Sequence, residues 1–282
     1  MRLPSYILAA ALVALGCAPL VLLAQETLSV SDTAMIPPCP ESSRTPLHIW
    51  HEPLVYAAYA ESEEHLEHVS YLAESIRAFG GRNAHAPIRV YVSAALLPSV
   101  DSLVTILESW GVCVVATQAP VETDGWPFAG KVHAAAQAER EVAGKSMILV
   151  WLDEDTIILQ EPEKFMLGAK TDFAYRPVMH NRSGSLFDRP PDPFWTRVYE
   201  LGGVGHELIF AMETPADHQR IRPYFNSGLL VVRPERGILQ QWAEAFEKLS
   251  TDPVLVEMCD SDENKRLFLH QAALVGPVLR EI

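Results

Sequence analysis

Three nearly unbroken apolar runs, "IRVYVS" (88–93), "VCVVAT" (112–117) and "SMILVWLD" (146–153), recur with an amphipathic segment between each and the next. A strand apolar on both sides must be covered on both sides, and strands alternating with helices pair in parallel through the helical crossovers. The alternation restricts the chain to an α/β fold, a mostly parallel sheet flanked by helices in Rossmann-like fashion. The run "PLHIW" (46–50) is the expected first strand. A helix is expected from Ser62, whose side chain can cap it, with Glu63 and Glu64 favouring its first turn. Its apolar face is Leu66, Val69, Leu72, Ile76 and Phe79, and Gly80-Gly81 ends it.

The segments "SVDSLVTILESWG" (99–111) and "FAGKVHAAAQAEREVAG" (128–144) read as the next helices. Further on, "TDFAYRPV" (171–178) reads as a strand and 179–222 as a long irregular region. "YFNSGLLVVRPE" (224–235) resumes as an apolar strand, and "GILQQWAEAFEKL" (237–249) and "ENKRLFLHQAAL" (263–274) as helices.

The N-terminus differs in kind. Leu3 to Ala24 carries no charged side chain and follows Arg2. Such a run is long enough to span a bilayer and also has the layout of a secretory signal. Signal peptide or anchor, residues 1–24 place the main domain on the non-cytoplasmic side, secreted or tethered to the membrane; in a eukaryote that is the secretory-pathway lumen. Residues 25–45 are polar and proline-bearing and read as a linker, leaving 46–282 as one domain. Of four cysteines, Cys17, Cys39, Cys113 and Cys259, none form a CxxC pair, which argues against zinc; one disulfide is possible, and Cys113 reads as a buried strand residue. The net charge of −14 argues against a nucleic-acid partner, and an anionic ligand would need a metal ion as mediator.

The chemistry concentrates in "ILVWLDEDTIILQEP" (148–162), where Asp153, Glu154 and Asp155 interrupt an apolar run. The cluster falls directly after a strand, and open α/β sheets bind ligands at the carboxyl ends of their strands. Asp153 and Asp155 can converge on one cation if the chain turns there. Hard carboxylate oxygens suit Mg²⁺ or Mn²⁺, which keep several waters and take substrate phosphates. Glu154, between them, is expected to point away.

Here "WLDEDTIIL" (151–159) resembles the D-x-D-T segment of GT-A-type glycosyltransferases, which use nucleotide sugars. "WPFAGKVHAAAQAE" (126–139) is similar to the helix before the metal strand in these enzymes. "YFNSGLLVVRP" (224–234) resembles their N-S-G strand, and "FLHQAALVG" (268–276) their D/E-Q helix; the order holds over roughly 46–279. The resemblance implies a GT-A-like fold and a metal-dependent, hexosyltransferase-like enzyme. It would move a sugar from a nucleotide-diphosphate donor to a glycan, protein or lipid acceptor. It places Lys131 and Gln271 near the donor, Asp153 against the donor ribose or the metal, and Asp155 as the firmer metal ligand. Asn226, Ser227 and Gly228 would line the sugar or acceptor pocket. Retention or inversion stays open, and no residue stands out as a general base.

Two departures accompany the resemblance. His270 stands where the family often has an acid, and the sequence ends at Ile282, short of the C-terminal strand and metal-binding histidine of many relatives. Two other readings follow. A haloacid dehalogenase-type phosphatase would use Asp153 as nucleophile and Asp155 as general acid, but Ile157 is out of pattern and "CDSDENK" (259–265) is a poor second acidic motif. A transferase-like domain that binds without turnover is the other. "GGVGHE" (202–207) lacks the strand-to-helix context of a phosphate loop and reads as a flexible acceptor-side lid. Phe194 and Trp195 either stack on a sugar or plug the irregular region into the core.

Overall fold

In the computed structural model of the chain, residues 53–281 are described. The first half runs β1 (Val55–Ala60), α1 (Glu63–Phe79), β2 (Ile88–Ser93), α2 (Asp101–Ser109), β3 (Val112–Thr117), α3 (Ala129–Val142) and β4 (Leu149–Leu152). The second half runs β5 (Phe173–Pro177), α4 (Pro193–Gly202), β6 (Met212–Glu213), β7 (Arg220–Ile221), β8 (Phe225–Val232), α5 (Ile238–Ser250), α6 (Pro253–Asp260) and α7 (Glu263–Glu281). Six strands form one sheet in the order β3-β2-β1-β4-β8-β5. The pairs β3/β2, β2/β1 and β1/β4 are parallel, and β8 runs antiparallel to both β4 and β5. The mostly parallel α/β sheet expected from the apolar runs is what the chain forms.

The sheet has a core on each face. Leu149 and Trp151 pack with α3, α5 and α7 on one side, while Ile148, Val150 and Leu152 pack with α1 and α2 on the other. Strand side chains alternate between faces, so a central strand with helices on both sides needs an apolar residue at every position. Each large aliphatic side chain buried this way contributes roughly 1.5–3 kcal/mol. Helix α3 is rich in alanine for a related reason. It lies between the sheet and α5, and Ala134, Ala135, Ala136 and Ala138 are all buried.

Several local expectations change. The strand before α1 is Val55–Ala60, an alanine-rich "VYAAYA" with no leucine or isoleucine; "PLHIW" and the N-terminal apolar segment lie outside the described residues. Ser62 caps α1 by accepting from the His65 backbone N–H at 3.1 Å, but Phe79, placed on the apolar face, is 51% exposed at the last turn. The region 179–222 is not irregular throughout. Asp192 caps α4 by accepting from the Trp195 N–H at 2.8 Å, and Pro193 sits at its first position. Phe194 and Trp195 plug that helix into the core, with the Trp195 indole donating to the Ser183 carbonyl at 2.8 Å. Gly203 ends α4 in the left-handed conformation (φ 64°). Lys248 and Arg280 donate to the carbonyls of Leu201 and Gly202, so "GGVGHE" begins as an anchored helix cap rather than a flexible lid. Residues 253–260, unassigned from sequence, form α6, capped by Asp252. Cys113 is buried on β3, as expected, and disulfide-bonded, and Cys259 is a buried free thiol. No helix among the described residues is long and apolar enough to cross a membrane.

Candidate active site

The site forms where parallel β4 meets antiparallel β8. Strand alternation that sends Leu149 and Trp151 toward α3 sends the next residue in that series, Asp153, the same way. The Asp153 N–H donates to the Gly228 carbonyl at 2.8 Å, and its carbonyl accepts from Thr156 N–H at 3.1 Å, closing a turn through Glu154 and Asp155. Asp153 Oδ1 meets Lys131 Nζ of α3 at 2.5 Å. The lysine side chain is 8% exposed and the aspartate 29%, so this ion pair is largely withdrawn from water and screened far less than a surface pair. Asp155, two residues on, is exposed at the tip of the turn. Glu154 points elsewhere, with an oxygen 3.8 Å from His65 Nε2 of α1.

Gly228 is required at its place. A Cβ there would collide with Asp153 Oδ2 and come within 3.0 Å of Asn226 Oδ1. Asn226 Oδ1 accepts from the Gly228 N–H at 2.8 Å, holding the strand in that shape. The β5/β8 register shifts between Tyr175 and Arg176, which pair with Leu230 and Asn226. Residues 227–229 thereby lie opposite an irregularity, at the point where β8 must admit a carboxylate. Ser227 is buried at 1% exposure, and its hydroxyl has no hydrogen-bond partner among the described residues. Gln271 is almost buried on α7 beside His270.

A cavity of about 630 Å³ opens at the carboxyl ends of β1, β2 and β3, bounded by Tyr59, Ser93, Thr117, Trp126 and Gly130. Gly130 has no room for a side chain because the Tyr59 hydroxyl lies against it. Lys131 therefore follows directly on the cavity wall. The lining carries Glu61 and Asp124 and no lysine or arginine. Burial, reinforced by Glu61, pushes the Tyr59 phenol up to about 12, so it stays protonated.

Two features behind the site escaped sequence reasoning. Phe128, at the cap of α3, has a left-handed backbone (φ 64°), and its ring centroid lies 4.3 Å from that of His270. Burial, and then the Lys131 charge, holds His270 well below its ordinary value, and its Nδ1 lies 2.9 Å from the Leu267 carbonyl. Glu139, fully buried on α3, accepts from the Gln240 N–H at 2.9 Å and so caps α5, whose own cap residue is Gly237. Burial raises Glu139 to about 7, against hydrogen bonds from Gln240 that lower it. No short-range pattern announces either feature, since each depends on contacts more than 100 residues apart in the chain.

Among the described residues, no three His, Cys, Asp or Glu side chains are grouped as a metal cage. Asp153 and Asp155 lie on one turn with Glu154 between them, and Lys131 pairs with Asp153.

Residues 59–279 match the family described as the Rhodobacterales glycosyltransferase domain. No curated protein matches the sequence. Among solved structures, an active-site mutant of LgtC is 11% identical, covering 80% of this chain and 70% of its own, at a TM-score of 0.45. The galactosyltransferase LgtC in complex with donor and acceptor sugar analogues is 14% identical, covering 79% and 69%, at 0.43. Core-mannan synthase A from Aspergillus fumigatus, in a Mn/GDP form, is 8% identical, covering 85% and 71%, at 0.46. With 221 consecutive residues matched, the chain belongs to the Rhodobacterales glycosyltransferase domain family and is a glycosyltransferase.

Proposed function

We propose that the enzyme moves a sugar from a nucleoside-diphosphate donor to a glycan, protein or lipid, with Mn²⁺ or Mg²⁺ at the turn after β4. The observation that carries this reading is the buried Lys131–Asp153 pair, set at a strand's carboxyl end directly beside a large cavity. The cavity has aromatic and hydroxyl groups but no cation, which suits an uncharged nucleoside. Positive charge for a diphosphate stands next to it, at Lys131. Asp153 and Asp155 offer hard oxygens, and with no third such side chain grouped with them among the described residues, the set fits an ion that keeps waters and takes phosphate oxygens.

When bound, such an ion supplies Lewis-acid neutralisation of the departing nucleoside diphosphate. The chain's own groups do the rest. Lys131, already desolvated, presents its ammonium where negative charge grows on the leaving group, and a preorganised charge in a dry site costs no reorganisation. Asp153, fixed by Lys131 and by its backbone bond to Gly228, holds one direction of approach. Asn226 offers an amide to sugar hydroxyls, and Gly228 keeps that wall of the site at backbone distance.

The phosphatase reading loses its second acidic motif. Asp262 accepts from the Asn264 and Lys265 N–H groups at the start of α7, and Asp260 pairs with Arg266 at 3.1 Å. A donor-hydrolysis screen across nucleotide sugars with Mn²⁺ tests the proposal. Wild type is expected to hydrolyse at least one donor and Asp155→Ala to lose that turnover; equal rates would remove the metal assignment, and binding without any turnover would favour an inactive domain.

A further inference from the structure

Phe128 is one of two non-glycine residues with positive φ among those described, and the other, His218, lies at an exposed turn between β6 and β7. A bulky side chain in this conformation is strained and persists only where surrounding contacts hold it. Nothing in the helix demands it. Phe128 makes no side-chain cap, and its carbonyl accepts the Val132 N–H at 3.1 Å as any residue could. Nor does core packing, because the residue is 39% exposed. What the strained backbone achieves is the placing of the ring. It lies against His270 on one side and 5.5 Å from the Lys131 ammonium.

His270 is itself held by its surroundings. It is buried, its Nδ1 lies 2.9 Å from the Leu267 carbonyl, and its own carbonyl accepts the Trp242 indole N–H at 2.6 Å. A neutral imidazole can pack an aromatic ring beside an ammonium, whereas an imidazolium would repel that ammonium. The contacts run from α7 through His270 and Phe128 to Lys131 and end on Asp153.

We infer that Phe128 is a positioning residue for the donor site: its ring, braced by His270 in a strained backbone, fixes the Lys131 ammonium for the donor diphosphate. This inference rests on the proposed role of Lys131. The test exploits the strain, because Phe128→Gly removes the ring and relieves the positive φ together. Binding of UDP and of GDP is measured by calorimetry with Mn²⁺ present, alongside thermal melting, in wild type, Phe128→Gly, Phe128→Tyr and Lys131→Met.

The expected result is a melting temperature in Phe128→Gly no lower than wild type, with nucleotide affinity weakened about tenfold, between the exposed and the desolvated limits of a cation–π contact. Phe128→Tyr restores the affinity. If Phe128→Gly melts lower and binds normally, or leaves both unchanged, the ring only packs and the inference is wrong. If Lys131→Met weakens binding but Phe128→Gly does not, the inference falls and the donor site stands. If wild type binds neither nucleotide, or Lys131→Met binds as wild type does, both fall.

Discussion

From Val55 to Leu152 the strands β1, β2 and β3 are each followed by a helix, and all four strands pair in parallel with a neighbour; from Phe173 onward the sheet gains β5 and the antiparallel β8, and helices α4–α7 follow a different rhythm. The first half supplies a cavity at three strand ends, and its chemistry is that of a wall: tyrosine, tryptophan, serine, threonine, two carboxylates and no cation. The second half supplies β8, whose Gly228 carbonyl receives the Asp153 N–H, and α7, whose His270 braces Phe128. Neither half holds the site alone. The acidic turn belongs to the first, and the shape that makes room for it belongs to the second.

The largest effect expected from breaking this arrangement is at Asp153. Asp153→Asn keeps the shape but leaves Lys131 buried without its counter-charge, and kcat/KM for transfer should fall by on the order of 10³. Guanidinium unfolding should show a loss of about 1–3 kcal/mol, less than for a fully buried pair because the aspartate is part-exposed.

Gly228→Ala attacks the same point from the other half. The added methyl must displace the Asp153 carboxylate, which Lys131 tethers, so kcat/KM should drop by about a hundredfold, as for other small misplacements of reacting groups. An unaltered rate would mean that the carboxylate's position does not matter.

Glu139 joins the halves away from the site. Its folded value, about 7, is raised above the ordinary 4.5. The protonated form is therefore favoured by folding, and the stability it contributes is complete below about 4.5 and lost as pH rises through 7. The shift corresponds to roughly 3 kcal/mol. Urea unfolding of wild type should weaken between pH 5 and pH 8, and Glu139→Gln should flatten that slope; parallel profiles would contradict the assignment.

The smallest effect is at Glu154. Its part-exposed pairing with His65 at 3.8 Å is worth at most a few tenths of a kcal/mol, so Glu154→Gln should leave melting and turnover near wild type.

The two halves were also unequally legible in the sequence. Runs such as "ILVWL" and "VCVVAT" announce strands covered on both faces, and the strand-end rule then locates Asp153 and Asp155. The N-S-G strand and the Lys131 helix were legible through resemblance, but the ion pair between Lys131 and Asp153 was not. Less could be read where structure depends on long-range contact. β1 hides because "VYAAYA" is half alanine and carries no leucine or isoleucine, and α4 hides in a proline-rich stretch although Asp192-Pro193 is a cap signal. The antiparallel direction of β8 has no local signature, and the bulge at Tyr175/Arg176 has none either. Phe128 could not be found at all, since a positive φ at phenylalanine is imposed by neighbours in space.

In the proposed reaction the acidic turn would bind a cation together with the donor's diphosphate. Calorimetric titration of UDP and GDP into wild type and Asp155→Ala, with and without Mn²⁺, tests it most directly. One nucleotide is predicted to bind wild type tightly only with Mn²⁺ present, and Asp155→Ala is predicted to lose that dependence along with at least tenfold in affinity. Equal, equally Mn²⁺-dependent binding in the variant would contradict it.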